Sequence, residues 1–284
     1  MMKKISLFCW FIFLVMTSTA QDYLNVMTFN IRLNTPEDSL NAWPHRADKA
    51  SSQILFHEVH ILGVQEALHN QMEDLDRALT KYKYIGGGRD DGKEKGEYSA
   101  IFFDTTRLQM LQTQTFWLSQ TPHVAGSKGW DAAITRIVTW AKFRDRKTKK
   151  EFYVFNTHFD HMGQVARVES AKLLLKFANQ IAGSMPYIVT GDFNANPEQE
   201  PIKILVNPKD PMHLTDTKEI SASPHYGPPG TFNGFHSKEI SDLPIDHIFI
   251  KHAITVLQHA TLSQTWDGRF SSDHFPVFAR VLIQ

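Results

Sequence analysis

The feature that most constrains the fold is a repeated pairing of short apolar runs with polar side chains at their ends. Residues 24–29 run into Asn30, and Ile61–Gln65 runs into Glu66. Residues 151–156 lead into Thr157 and His158, and residues 187–190 lead into Gly191, Asp192 and Asn194. On the same reading Asp246, and Asp273 with His274, stand at the ends of buried segments. Short apolar runs bounded by polar or turn residues read as buried strands. Polar side chains collected at strand ends, along one edge of a sheet, are where sites are commonly assembled.

Between these runs the periodicity changes. A helix is expected over residues 44–57, opened by Pro44. Another is expected over residues 69–79, with Met72, Leu75 and Leu79 on one face, and the clearest amphipathic stretch is Gln164–Ala182. A short helix is expected over residues 198–206. Further strands are expected over 99–103, 113–118, 245–250, 255–260 and Val277–Ile283. Residues 137–143 and 151–156 read as a hairpin around the basic turn 144–150. Residues 86–96, 126–131 and 221–234 read as loops. Two groups of strands, residues 24–156 and 187–283, each accompanied by helices, point to two packed sheets with helices outside them in one domain.

The first twenty residues read differently. Lys3 and Lys4 precede an apolar run over residues 5–16, and Ser18-Thr-Ala20 forms a small-residue cleavage site before Gln21. This is the pattern of a secretory signal peptide. The run is shorter than the roughly 20 residues a membrane span needs. The expectation is therefore a signal peptide over residues 1–20 and a working domain over residues 21–284. The mature protein would be exported, periplasmic or secreted, without stable membrane insertion. The sole cysteine, Cys9, lies inside the leader, so the mature chain would carry neither disulfides nor thiolate metal ligands. The 30 basic and 30 acidic side chains balance, and losing Lys3 and Lys4 tips the balance slightly acidic. That argues against avid nonspecific nucleic-acid binding and for a small substrate.

The residue types at the strand ends narrow the chemistry. Gly191 permits an unusual turn, after which Asp192 and Asn194 can point the same way. Hard oxygen ligands of this kind suit Mg²⁺ or Mn²⁺. His274 needs a carboxylate to orient it. The adjacent Asp273 diverges from it, which makes Asp246 the candidate partner. A histidine so held suits a general base or a stabiliser of developing charge. There is no HExxH, no Gly-x-Ser-x-Gly and no phosphate-cradling Gly-rich Lys loop in the chain.

The ordered blocks Thr28-Phe-Asn30, Gln65-Glu66, Asn156-Thr-His158, Gly191-Asp-Phe-Asn194, Ile245-Asp246 and Ser272-Asp-His274 resemble the endonuclease/exonuclease/phosphatase superfamily. Gly88–Gly92, Phe116–Ser119, Gly126–Asp131 and Thr231–Phe235 look like a bacterial branch of it. The resemblance covers nearly the whole mature chain. It implies a four-layered α/β sandwich, two facing mixed β-sheets flanked by helices, with the site at one end. It implies that Glu66, with Asn30 and Asp273 close by, holds a divalent metal. Asp192 would activate water, and Asn194 would help to hold the phosphate or the metal. His158 and His274 would hydrogen-bond the phosphoryl oxygens, and Asp246 would pair with His274. Arg136, ahead of a strand, would face the phosphate, for which a guanidinium is suited.

The activity implied is metal-dependent hydrolysis of a phosphodiester or phosphomonoester by in-line attack of water. The substrate could be a small molecule, a phospholipid headgroup or a nucleic acid. The alternatives are a nuclease acting on DNA or RNA, and a non-catalytic binding protein on the same fold. Trp117, Trp130, Phe232 and Phe235 could form the apolar rim that a lipid substrate would need. His247 stands where many members carry tyrosine.

Overall fold

The computed structural model describes residues 22–236, 238 and 240–284, and the expected signal peptide lies outside them. The chain opens with β1 (Leu24–Asn30), two 3-10 turns, α1 (Ala47–Phe56), β2 (Ile61–Gln65) and α2 (His69–Ala78). β3 (Tyr82–Ile85), β4 (Ile101–Asp104) and β5 (Leu108–Trp117) follow. The hairpin of β6 (Ile137–Asp145) and β7 (Glu151–His158) leads through α3 (Gln164–Ala182) to β8 (Tyr187–Asp192). After α4 (Glu200–Leu205), β9 (Thr215–Asp216) and α5 (Thr217–Ile220) come β10 (Asp246–Lys251), β11 (Ile254–Thr261) and β12 (Val277–Ile283). Among the described residues, no helix is long and apolar enough to cross a membrane.

Two six-stranded sheets result, ordered β11-β12-β1-β2-β4-β3 and β5-β6-β7-β8-β10-β9. β1 with β2, and β7 with β8, are parallel, while the remaining pairs are antiparallel. The four-layered mixed sandwich expected from the resemblance is what forms. The grouping of strands by sequence is corrected. The division falls between β4 and β5, and β11 and β12 return to the first sheet, because β12 pairs with β1 rather than with β10.

Alternation along each strand builds the layers. In β1, Met27 and Phe29 face α1 and α2, while Leu24 and Val26 face the other sheet. In β7, Tyr153 and Phe155 face α3, while Phe152 and Val154 point between the sheets. Both faces are covered, so the strands are apolar on both and read as continuous runs.

The inter-sheet face changes character along its length. Leu24 and Val26 give way to Thr28 and Asn30, Phe152 and Val154 to Asn156 and His158, and Ile188 to Thr190 and Asp192. The first polar rank centres on Asn156, whose side-chain donors and acceptor are all used. Asn156 donates to the carbonyls of Val64 and Ala100, each at 2.8 Å. Its Oδ1 accepts from Gln65 Nε2 at 2.7 Å and Thr190 Oγ1 at 3.0 Å. The sheets approach so closely here that a Cβ on Gly63 would lie 2.4 Å from Thr190 Oγ1 and 2.5 Å from Asn156 Oδ1.

Several boundaries shifted for identifiable reasons. The helix expected from Pro44 is interrupted at Arg46 (φ −136°, ψ −3°), whose side chain turns inward, and α1 starts at Ala47. The first part of β5 is an exposed edge carrying Gln109, Gln112 and Gln114, so it lacks an apolar signal. The edge strands β3 and β9 were missed because both are short and partly exposed.

Replacing Asn156 with alanine should destabilise the chain by about 3 kcal/mol or more, since four buried hydrogen bonds are lost at once, although the Ala100 carbonyl keeps the Val64 N–H. Urea denaturation reads this, and a cost below about 1 kcal/mol would show that the set is not what joins the sheets.

Candidate active site

The second polar rank of the inter-sheet face forms the floor of a cleft of about 360 Å³ at one edge of the sandwich. Register places its members side by side. His158 pairs with Asp192 across β7 and β8, and Asp246 pairs with Asp192 across β10 and β8. Asp246 opens β10, and Asp273 and His274 precede β12. These three therefore reach the edge from strand beginnings, not from strand ends as expected. Their strands run antiparallel to β8 and β1, so a beginning and an end share the same edge.

Asp192, 1% exposed, is the hub. Its Oδ2 accepts from Asn30 Nδ2 at 2.9 Å and lies 3.4 Å from His158 Nε2 and 3.8 Å from His274 Nε2. Its Oδ1 accepts the Asn194 backbone N–H at 2.9 Å. Burial, with the charge of Asp246 adding to it, pushes the Asp192 carboxyl up to about 7. His274 Nδ1 meets Asp246 Oδ2 at 2.9 Å, the pairing expected from sequence. Burial opposes charge on that ring, but Asp246 and Asp192 outweigh it and hold the imidazole protonated well above its ordinary range. His158 goes the other way. Burial, then the charges of Arg136 and His274, keep it neutral.

Asn30 bridges the carboxylates, with Nδ2 also donating to Glu66 Oε1 at 2.9 Å while Oδ1 accepts from Arg32 N at 3.0 Å. In this orientation it presents N–H to Glu66, and acting as a metal ligand would require the amide to turn over. Asn194 Nδ2 lies 3.0 Å from both His158 Nε2 and the Phe159 carbonyl. Its Oδ1 is what remains for the cleft, a group suited to a cation or water rather than to a phosphate oxygen. Glu66 (φ 63°) and Asn194 (φ 45°) both sit in the left-handed region, which is strained for Glu66 above all.

Glu66, Asp192 and His158 bring one ligand-type atom each within 4.8 Å of one another, as do Asp192, Asp246 and His274. Asp273 lines the same cleft but turns toward Arg32, 3.8 Å away, and takes a 3.2 Å bond from Ser272 Oγ. Burial raises its carboxyl, with Glu66 adding and His274 opposing. The buried carboxyls of Asp192, Asp246 and Asp273 and the partly buried Glu66 all offer hard oxygens, a donor set that fits a divalent cation.

All nine residues singled out from sequence lie in the cleft wall or directly behind it. Arg136, 4% exposed, lines it, with Nη2 3.1 Å from His161 Nδ1. His247 faces away, held by Asp216 Oδ2 at 3.0 Å and stacked on Phe249. Of the rim aromatics only Phe232 lines the cleft, 40% exposed and edge-on to His274. Trp117 is buried behind the Gly-rich loop and donates to the Arg89 carbonyl at 2.7 Å. Arg89 pairs with Glu97 at 2.7 Å.

Sequence reasoning missed Arg46, Asp160 and His161. Buried Arg46 donates to the carbonyls of Ile31, Arg32 at 2.7 Å and Ser271 at 3.1 Å, which fixes the loops after β1 and before β12. Asp160 Oδ1 accepts from Met162 and Gly163 N–H, and Oδ2 from Ala133 and Ile134 N–H, which joins the loops on either side of Arg136 and His161. The only signal for either was a charged residue beside a strand or turn, which is too common to select on.

Residues 27–274 match the family described as Endonuclease/Exonuclease/phosphatase. Among solved structures the chain is similar to an endonuclease/exonuclease/phosphatase from Bacteroides vulgatus. Identity is 38% and the TM-score 0.88, over 93% of this chain and 100% of that one. It is also similar to a mannosyl-6-phosphatase from Bacteroides thetaiotaomicron, with 37% identity and a TM-score of 0.87 over 91% and 99% of the two chains. A curated relative, uncharacterized protein L388 of Acanthamoeba polyphaga mimivirus, is 25% identical over 271 residues, 89% of this chain and 98% of the relative.

Asp246→Asn should let burial depress the His274 ring. Side-chain NMR should then show imidazolium persisting well above pH 6.5 in the wild type and lost by neutrality in the variant. The folded value is the raised one, so the pair's stabilisation is complete below the ordinary 6.5 and fades as pH climbs through the folded value. An unchanged titration would mean that Asp246 does not hold the proton there.

Proposed function

The chain belongs to the endonuclease/exonuclease/phosphatase family, and from that premise we propose that it hydrolyses a phosphate ester by in-line attack of water. The observation that carries this is the buried Asp192 carboxylate, raised to about 7 and flanked by a protonated and a neutral imidazole. A carboxylate so raised is matched to taking a proton from water near neutral pH. His274, held charged by Asp246, donates to the phosphoryl oxygens as their charge grows. His158 stays neutral, with Nε2 accepting from Asn194 Nδ2, and lines the same part of the cleft. Arg136 supplies guanidinium donors from the far side. Glu66, with Asn30 and Asp273 beside it, would hold Mg²⁺ or Mn²⁺, which when bound neutralises phosphoryl charge and the leaving oxygen.

The similarity to a protein described as a mannosyl-6-phosphatase puts sugar phosphates first among substrates to try. The balanced charge counts against a nuclease. We propose further that residues 1–20 direct export to the periplasm or beyond, and that residues 21–284 form the working domain.

Mature protein should turn over p-nitrophenyl phosphate or bis-p-nitrophenyl phosphate with Mg²⁺ or Mn²⁺ and stop in EDTA. Asp192→Ala should lower the rate by roughly two to three orders of magnitude. Turnover that persisted in EDTA, or in the folded variant, would contradict the assignment, and a failure to bind divalent metal would favour the non-catalytic alternative.

A further inference from the structure

We propose that Arg136 and His161 form a dianion-selecting end of the cleft, so that the site takes phosphomonoesters over phosphodiesters. This rests on the phosphoesterase reading and adds to it the ester class and a residue, His161, without an assigned role.

The cleft is lined by charge of both signs. Glu66, Asp273 and Asp192 line it together with Arg32, which lies within 4 Å of Glu66 and Asp273, and Arg136 and His161 line it beside Glu97. Arg136 is buried, yet its Nε and Nη1 have no hydrogen-bond partner among the described residues. Asp160 is its nearest carboxylate, 3.6 Å from Nε, beyond hydrogen-bond reach. The four backbone bonds to Asp160 commit its oxygens to the loops. Glu97 is committed to Arg89. A buried guanidinium at the wall of a cleft, with two unpaired nitrogens that are themselves shielded from solvent, is a fixed positive charge placed to meet an anionic oxygen.

His161 extends that position. A guanidinium only donates, so His161 Nδ1 must accept from Arg136 Nη2, and the neutral ring's proton therefore sits on Nε2. The ring is exposed and lines the cleft, so this second donor is available at its mouth.

A monoester dianion has three terminal oxygens and two negative charges. It can face the carboxylate end, through a bound cation, and the Arg136 end together. A diester has one charge and two terminal oxygens. Its second ester group, which is neutral, would have to face the Arg136 charge, and sites built around such a charge reject ligands that lack the matching group.

The test measures binding as well as turnover. At about pH 8, where inorganic phosphate is a dianion, calorimetry with Mg²⁺ present should show phosphate bound roughly a hundredfold more tightly than dimethyl phosphate. Arg136→Met should remove most of that ratio. His161→Ala, a change at an exposed position, should reduce it about tenfold, and His161→Gln, which keeps a donor, should restore part of it. The kcat/KM ratio of p-nitrophenyl phosphate to bis-p-nitrophenyl phosphate should fall in step. Equal affinity for the two phosphates in the wild type, or equal losses in the His161 variants, would overturn the proposal. Selective phosphate binding without turnover of either ester would instead reject the catalytic reading and leave the subsite standing.

Discussion

The hydrogen bonds of the Asn156 side chain hold the two sheets in register, and the site depends on that register. Three of the bonds cross to the other sheet, to Val64 and Gln65 of β2 and to the Ala100 carbonyl ahead of β4, while the fourth ties Thr190 of β8 to β7 within the same sheet. An amide makes this possible because its two donors and one oxygen are all used in a dry interface. Gly63 opposite it has no side chain because there is no room for one. Apolar packing alone would bring the sheets together but tolerate sliding.

Directly above lies the rank proposed to carry the chemistry, one pleat further along the same strands. Asn30 follows Thr28, His158 follows Asn156, and Asp192 follows Thr190. Period-two geometry puts each on the inter-sheet face and delivers Asn30 to within hydrogen-bond distance of Asp192, 162 residues away. The burial that fixes these side chains also sets their protonation. Asp192 rises because it is dry and near Asp246, and His274 stays charged because it sits between those two carboxylates.

Much of this was legible in the sequence. The strands at the centre of both sheets announced themselves because both of their faces are covered, and Gln164–Ala182 because its buried face repeats over several turns. The nine site residues could be named because they follow or precede those strands. The Asp246 and His274 pairing followed from the divergence of adjacent side chains. Sheet membership was not legible. β12 carries the same apolar pattern whether it pairs with β1 or β10, and only the three-dimensional register decides. The left-handed backbone at Glu66 was invisible, since nothing in its residue type favours it. Arg46 and Asp160 act through backbone groups, and His161 is a loop residue set beside a buried arginine, and no composition marks such a role.

The loops around the cleft are attached differently from its floor. The floor belongs to strands joined across the interior, while the walls near Arg136 and His161 hang on Asp131, which caps α3, and on Asp160. On the proposed roles, what the protein accepts and how it reacts are encoded in separable stretches of chain. Exchanging residues 126–134 and 160–163 between relatives would redraft the guest list while the reacting carboxylate kept its place, so descendants of one ancestor could diversify in diet without reinventing the chemistry.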